Sequence, residues 1–281
     1  MNHAQPPRLI FLHVPKTAGT STAALLKRSF HAEEVARLEN GISPFDFICW
    51  LRALPLDRKR RLRLVLGHMG FGVHAFLPEE STYITVLRHP VDRIISLYYF
   101  IVRNTDHPWH EIIARMSFME FALDPVSTIV DNFQVRMLAA EDGVILDGPL
   151  TDKHLERARH HLERHFALVG FQEHMAPFVE RLQHLIQAAA TPLPNVNVTP
   201  GRPRVAELSA FDQRKILDKN HLDARLNEFA RQLPACALAT DRVANKEVTL
   251  TGHRWSELVG TYARAVARAG GWFRGSVAKH D

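Results

Sequence analysis

"RLIFLHVPKTAGTST", residues 8–22, passes from an apolar segment through a proline, a lysine and a glycine into a cluster of hydroxyl residues. "RLIFLHV" (8–14) has the near-continuous apolar character of a strand buried on both faces of a parallel sheet. The Ser/Thr cluster, followed by Ala24, Leu25 and Phe30, predicts a helix over 20–30. A loop that leaves a buried strand and opens a helix aims several backbone N–H groups at one point, and the helix dipole adds positive charge there. Gly19 permits close approach of the backbone, and Thr17, Thr20, Ser21 and Thr22 bring hydroxyl donors. Lys16 adds a full charge able to follow a bridging oxygen as it departs. The segment therefore predicts an anion cradle. It is not a Walker A loop, in which the lysine follows the second glycine, because Lys16 comes before Gly19.

Further strands are expected in "RLRLVLGH" (61–68), ending at Gly67-His68, and in "STYITVLRHP" (81–90), closed by Pro90. "VDRIISLYYFIVRN" (91–104) carries Ile94, Ile95, Tyr98, Tyr99 and Val102 at helical spacing. Strand–loop–helix units in this alternation predict an α/β class: a P-loop-like, three-layer fold with a central, mostly parallel sheet flanked by helices. Ligands of such sheets gather beyond the carboxyl ends of the strands, where His13 to Ser21, His68 and Arg88 are all expected to lie.

Downstream, "WHEIIARMSFMEFAL" (109–123), "IVDNFQVRML" (129–138) and "TDKHLERARHHLERH" (151–165) read as helical, and "FALVGF" (166–171) as a strand. "HMAPFVERLQHLIQ" (174–187) returns to helix, "TPLPNVNVTPGRPR" (191–204) is a Pro-rich loop, and 211–233 reads as one more helix. The organisation expected is one domain over 1–240 with a C-terminal helical extension over 241–281. Asp131, Asn132, Gln134 and Arg136, on one expected helix, are candidates to line an acceptor.

The basic balance, 35 Lys and Arg against 30 Asp and Glu, suits an anionic ligand. No block interleaves Arg/Lys with aromatics, so a nucleic-acid partner is not expected. Cys49 and Cys236 stand in no C-x-x-C pattern, which argues against a disulfide framework and a thiolate metal site. With no signal-peptide pattern and no apolar run of about 18 residues, the expected setting is cytoplasmic. His154, His161 and His165 share one helical face, but with Glu156, Arg157, Glu163 and Arg164 around them they read as a solvated helix rather than a metal site.

A second constellation follows the strand at 81–87. In "LRHPVDRIISLYY" (87–99) Arg88 ends the strand, Pro90 suits the first helical position, and Ser96 lies two turns inside. Taken together, "PKTAGTS" (15–21) and "RHPVDRIISLYY" (88–99) resemble the 5′- and 3′-phosphate-binding motifs of PAPS-dependent sulfotransferases. The likeness is closest to the family of the Golgi carbohydrate (heparan/chondroitin-type) 2-O-sulfotransferases and their bacterial relatives, and covers most of 8–235. "LGHMGFG" (66–72) resembles the catalytic-histidine segment, "DNFQVRMLAA" (131–140) the central helix, and "LVGFQEHMAPFVERL" (168–182) the strand and helix beyond. "NVNVTPGRPR" (195–204) before "LDARLNEFA" (222–230) resembles the nucleotide-covering loop and closing helix. The tail after residue 240 has no counterpart.

The resemblance implies sulfuryl transfer from 3′-phosphoadenosine 5′-phosphosulfate (PAPS) to an acceptor hydroxyl, of a saccharide or glycolipid, with no metal. It implies His68 as general base and Lys16 at the leaving oxygen. Lys16, Thr17, Ala18, Gly19, Thr20 and Ser21 would hold the 5′-phosphate, Arg88 and Ser96 the 3′-phosphate, and Thr199 and Arg202 would close over the nucleotide. One departure is Leu66-Gly67-His68, where the 2-O-sulfotransferases carry H-G-H. His13 and His89 are rivals for the base. Alternatives are a non-catalytic nucleotide- or glycan-binding protein on the same fold, or a small-molecule kinase, for which a convincing Mg²⁺-holding Asp is missing. The basic stretch from Arg254 to Lys279 is a candidate for peripheral membrane contact or for a homodimer contact.

Overall fold

The first strand and helix form as expected, as β1 (Arg8–Leu12) and α1 (Gly19–Arg28). They belong to a computed structural model that describes residues 8–38, 42–189 and 202–233. A three-residue strand, β2 (Val35–Arg37), follows; no long apolar run announces it. Ser43 then caps α2 (Pro44–Ala53), its Oγ accepting the Asp46 N–H at 3.0 Å. The expected second strand is shorter than the sequence suggests, because its basic approach coils into α3 (Leu56–Arg61) before β3 (Leu64–Gly67) begins. β4 (Ser81–Leu87) runs into α4 (Pro90–Arg103), which starts on its proline.

Three short helices come next: α5 (His110–Ile113), α6 (Phe118–Ala122) and α7 (Phe133–Leu138). α8 (Asp152–His165) leads directly into β5 (Phe166–Phe171), followed by α9 (Met175–Leu185). The helix expected over 211–233 is two, α10 (Ala210–Lys219) and α11 (His221–Gln232). Thr199 and the extension at 241–281 lie outside the described residues.

Among the described residues the sheet has five strands, all parallel, in the order β2-β3-β1-β4-β5. Alternate side chains feed two cores. Ile10, Leu12, Val65 and Tyr83 face α2, α7, α8 and α11, while Leu9, Phe11, Leu64, Leu66, Ile84 and Val86 face α1 and α9. Burial on both faces explains the unbroken apolar runs and bears out the three-layer α/β reading. The chain leaves β1 toward one side of the sheet and returns to pair β4 on the other. That reversal opens a crevice beyond the carboxyl ends of β1 and β4.

Of the residues at 131–136 expected to line an acceptor, Asp131 is partly exposed and paired with Arg136. Asn132, Gln134 and Arg136 are buried and spent on internal hydrogen bonds. Asn132 Oδ1 accepts the Leu222 and Asp223 N–H groups, and Asn220 Oδ1 accepts the Asn132 N–H at 2.9 Å. This exchange is what breaks the long helix at Asn220. Arg136 pairs with Asp131 and donates to the Gly148 carbonyl at 2.8 Å. Asp223 accepts from the N–H groups of Gln134 and Val135 at 3.1 and 2.8 Å.

The histidine-rich α8 is also less solvated than its composition suggests. His161 is buried beside Leu155, Ala158 and Leu162. Its Nδ1–H donates to the Leu138 carbonyl at 2.7 Å, and its ring stacks on Phe71 at 3.8 Å between centroids. His74 and His165 flank the same phenyl ring. The Tyr83 hydroxyl accepts the N–H groups of Gly72 and His74, so it donates its own proton to His74 Nδ1 at 2.9 Å. Burial, with the nearby His165, pushes the His74 pKa down to about 4; burial leads the same shift, to about 4, at His161.

Asp223→Ala orphans two buried backbone N–H groups and is expected to cost about 2–4 kcal/mol, read as a lower denaturant midpoint at unchanged slope.

Candidate functional site

The loop between β1 and α1 holds two non-glycine residues in the left-handed region, Lys16 (φ 68°) and Ala18 (φ 64°). Each costs roughly 1–2 kcal/mol in isolation, so the surroundings must hold them there. Thr17, fully buried between them, donates from Oγ1 to the Val14 carbonyl at 2.8 Å. Thr22 Oγ1 donates to the Ala18 carbonyl at 3.2 Å. The third brace comes from the next unit of the fold: Arg88 donates from Nη1 to the Lys16 carbonyl at 2.8 Å.

The α1 N-terminus receives no side-chain cap, and its first turn contains no acid. Its N–H groups and dipole therefore face the loop with no competing carboxylate of their own. Of the four hydroxyls expected to meet an anion, those of Thr17 and Thr22 brace the loop instead. Thr20 is exposed and Ser21 buried.

Arg88 is itself tightly held. Gln134 accepts its N–H through Oε1 and donates from Nε2 to its carbonyl, both at 3.0 Å. Its Nε and Nη2 lie 2.7 and 2.6 Å from Asp92 Oδ2, and Arg202 reaches Asp92 Oδ1 at 2.8 Å. One carboxylate thus joins two guanidinium groups. Burial opposes charge on Asp92, but Arg88 and Arg202 hold its carboxyl below the ordinary value. Burial also lowers Arg88, and Arg202 adds to that. Asp92 and Ser96 lie one turn apart on α4, Ser96 buried, and Arg88 just before the helix reaches back to Asp92.

Burial and the charges of Arg88 and Arg202 push the Lys16 pKa down to about 8. Its Nζ sits 3.7 Å from the centre of the Phe100 ring. From Phe100 an aromatic row runs outward: His107 at 5.7 Å, then Trp109 another 5.4 Å on, with Trp109 exposed.

His68 stands beyond the end of β3, on the other side of β1. Its Nδ1–H donates to the His13 carbonyl at 2.7 Å, and the His13 N–H donates to the Gly67 carbonyl at 3.0 Å. That exchange assigns the ring proton to Nδ1 and leaves Nε2 with a lone pair. Burial lowers the His68 pKa, and nearby Lys16 contributes, so the ring is neutral at pH 7. The two rivals occupy different settings. The His13 ring packs between Phe11 and His68 and over Gly19, while His89 is exposed at the start of α4. Leu66, at the position of the departure from H-G-H, is buried in the core under α1 and α9 and gives the crevice nothing.

The structure therefore brings Lys16, Arg88 and Arg202 into one basin with His68 beside it, and leaves Thr199 outside the described residues. Sequence reasoning missed Asp92 and the row Phe100–His107–Trp109, and gave Gln134, which holds the Arg88 main chain, a different role. The four-residue step from Arg88 to Asp92 was a legible signal for the first. The others depend on contacts across the fold.

The model of the sulfotransferase family matches residues 2–230 of the chain. A protein-tyrosine sulfotransferase of Arabidopsis thaliana is 30% identical over 115 residues, which is 39% of this chain. The chain spans only 21% of that relative's length. A mouse sulfotransferase complexed with PAP aligns at a TM-score of 0.43 and 15% identity, over 81% of this chain and 90% of that one.

A Cβ on Gly19 would lie 1.6 Å from His13 Nε2, and the His13 ring is hemmed in by Phe11 and His68. Gly19→Ala is expected to destabilise the fold by about 1–3 kcal/mol, measurable as a lower melting temperature.

Proposed function

The chain belongs to the sulfotransferase family, and from that premise we propose that it moves a sulfuryl group from PAPS to a hydroxyl of a saccharide or glycolipid acceptor. One observation carries the reading. Arg88 grips the Lys16 carbonyl while sharing Asp92 with Arg202, so three cations converge next to an uncapped helix N-terminus and a neutral imidazole. Such a basin suits a ligand with two anionic groups. In this reading the loop N–H groups of Ala18, Gly19, Thr20 and Ser21, with Lys16, hold the 5′-phosphosulfate, and Thr17 fixes the loop from below. Arg88 and Ser96 take the 3′-phosphate, and Thr199 and Arg202 cover the nucleotide. Residues 1–240 form the transferase domain, working in the cytoplasm.

His68 Nε2 accepts the proton of the acceptor hydroxyl as its oxygen bonds to sulfur. The bond from sulfur to the bridging phosphate oxygen breaks, and its electron pair stays on that oxygen. The Lys16 ammonium meets the charge that develops there. Reaching it requires Nζ to leave the face of Phe100. The row Phe100–His107–Trp109 then offers flat apolar faces to an acceptor ring at the edge of the basin, which favours a pyranose.

His68→Ala is expected to lower kcat by about 10²–10⁴-fold. Calorimetry should find its affinity for 3′,5′-bisphosphoadenosine within about twofold of the parent, since the variant touches the proton and not the phosphates. Undiminished turnover would refute the base assignment. Because the base must be neutral, kcat/KM should fall on acidification with an apparent pKa below 6.5.

Lys16→Ala and Arg88→Ala should each weaken binding of the same nucleotide by tenfold or more, about 1.4 kcal/mol. Lys16 binds an anion only when protonated, and its pKa is about 8. Affinity should therefore decline as pH rises through 8, and Lys16→Met should flatten that dependence. Parent-like titrations for both alanine variants would rule out the two-phosphate clamp.

A further inference from the structure

At the amino end of the sheet, opposite the crevice, the charge of the chain is concentrated in one corner. Residues 52–63 hold Arg52, Arg58, Lys59, Arg60, Arg61 and Arg63 against Asp57 alone, a net of +5 that equals the formal charge of all 281 residues. Arg52, Arg60 and Arg61 are exposed, and Arg58, Lys59 and Arg63 are half-buried. A basic last turn on α3 is what the helix dipole favours. The same effect covers Arg52 in the last turn of α2, but it fades within one turn and does not explain Arg63 beyond α3.

The corner is built rather than loose. Arg8, buried at the start of β1, donates from Nε to the Leu62 carbonyl at 2.6 Å and from Nη2 to the Lys59 and Arg60 carbonyls at 3.3 and 3.4 Å. Lys59 Nζ donates to the Arg52 carbonyl at 2.8 Å, tying α3 to α2. The nearby acids are few. Glu79 pairs with Arg8 at 3.2 Å, Glu80 follows it, and Asp57 is 3.9 Å from Arg60.

Large exposed apolar side chains stand on the same two helices. Trp50 on α2 is 46% exposed and Leu56 at the start of α3 is 49% exposed. Arg52, Leu56, Lys59 and Phe76 line one shallow cleft, with the Arg52 guanidinium 5.4 Å from the Phe76 ring. Soluble polyanions would use the charges and leave the leucine and tryptophan in water. A lipid surface uses both, since acidic headgroups attract the cations while Trp and Leu enter the interface.

We propose that the α2–α3 corner is a docking surface for a membrane rich in anionic lipid. The proposal is independent of the chemistry assigned to the crevice. Because α3 feeds the amino end of β3 and the crevice lies beyond the carboxyl ends, a docked chain would keep the crevice open to solution.

The test is co-sedimentation of the full chain with phosphatidylcholine vesicles containing about 30% phosphatidylserine, against vesicles of phosphatidylcholine alone. Binding is expected to the anionic vesicles only and should weaken as salt rises from about 0.05 to about 0.3 M. The triple variant Arg58→Glu, Arg60→Glu, Arg61→Glu should lose more than about tenfold in partitioning. Trp50→Ala with Leu56→Ala, at unchanged charge, should lose roughly threefold or more. Both variants should still unfold in one cooperative transition, at a somewhat lower temperature, and keep the parent nucleotide affinity. Failure to prefer the anionic vesicles, or parent-like partitioning by the triple variant, overturns the proposal. So does parent-like binding by the apolar pair, which would assign the corner to soluble polyanions instead.

Discussion

The hydrogen bond from the Arg88 guanidinium to the Lys16 carbonyl is the contact on which the rest of the site depends. It joins two loops that are 72 residues apart in sequence, each at the end of a different strand. A lysine carbonyl in a left-handed turn has no partner within its own loop, and an arginine at a strand end has no reason of its own to point there. Adjacent parallel strands supply the reason. Pairing β1 with β4 sets both carboxyl ends at one level, so the loop after one falls beside the first side chain after the other. The convergence of cations in the basin is thus a property of the sheet as much as of its residues.

The cations so gathered would repel one another without Asp92. Its two oxygens divide between Arg88 and Arg202, turning a cluster of like charges into a short alternating chain. Lys16 pairs with no carboxylate among the described residues, and burial together with the two arginines depresses its pKa. The structure therefore grades its cations: two arginines stabilised by a fixed counter-charge, and one lysine kept labile beside an aromatic face. In the proposed transfer, where Lys16 would meet charge developing on a leaving oxygen, that lability would be the useful property.

Much of this was legible in the amino-acid order, for identifiable reasons. β1, β4 and β5 are dense in apolar and β-branched residues, so local pattern alone marks them; the run 166–171 matches its strand residue for residue. The cradle was legible because Pro, Lys, Gly and a hydroxyl cluster follow a buried strand in an order few other structures need. β2 was not, since three residues at a sheet edge owe their conformation to a neighbour rather than to their own sequence. Gln134 looked like a candidate acceptor ligand because a polar residue on a helix has no local partner. Its real partner, the Arg88 main chain, is 46 positions away. His161 was misread although the signal existed: with Leu155, Ala158 and Leu162 it completes an inward stripe, and the surrounding charges drew attention to the opposite face.

That inward stripe carries a cost at low pH. His161 stacks on Phe71 and His74 packs tilted against it, both as uncharged rings with a pKa of about 4, whereas a released chain would titrate them near 6.5. Unfolded chains therefore bind more protons than folded ones over that interval, and the fold weakens as acidity increases through it. The aromatic pile beside the sheet thus makes the interior itself a reason for the fold to favour a pH near neutrality.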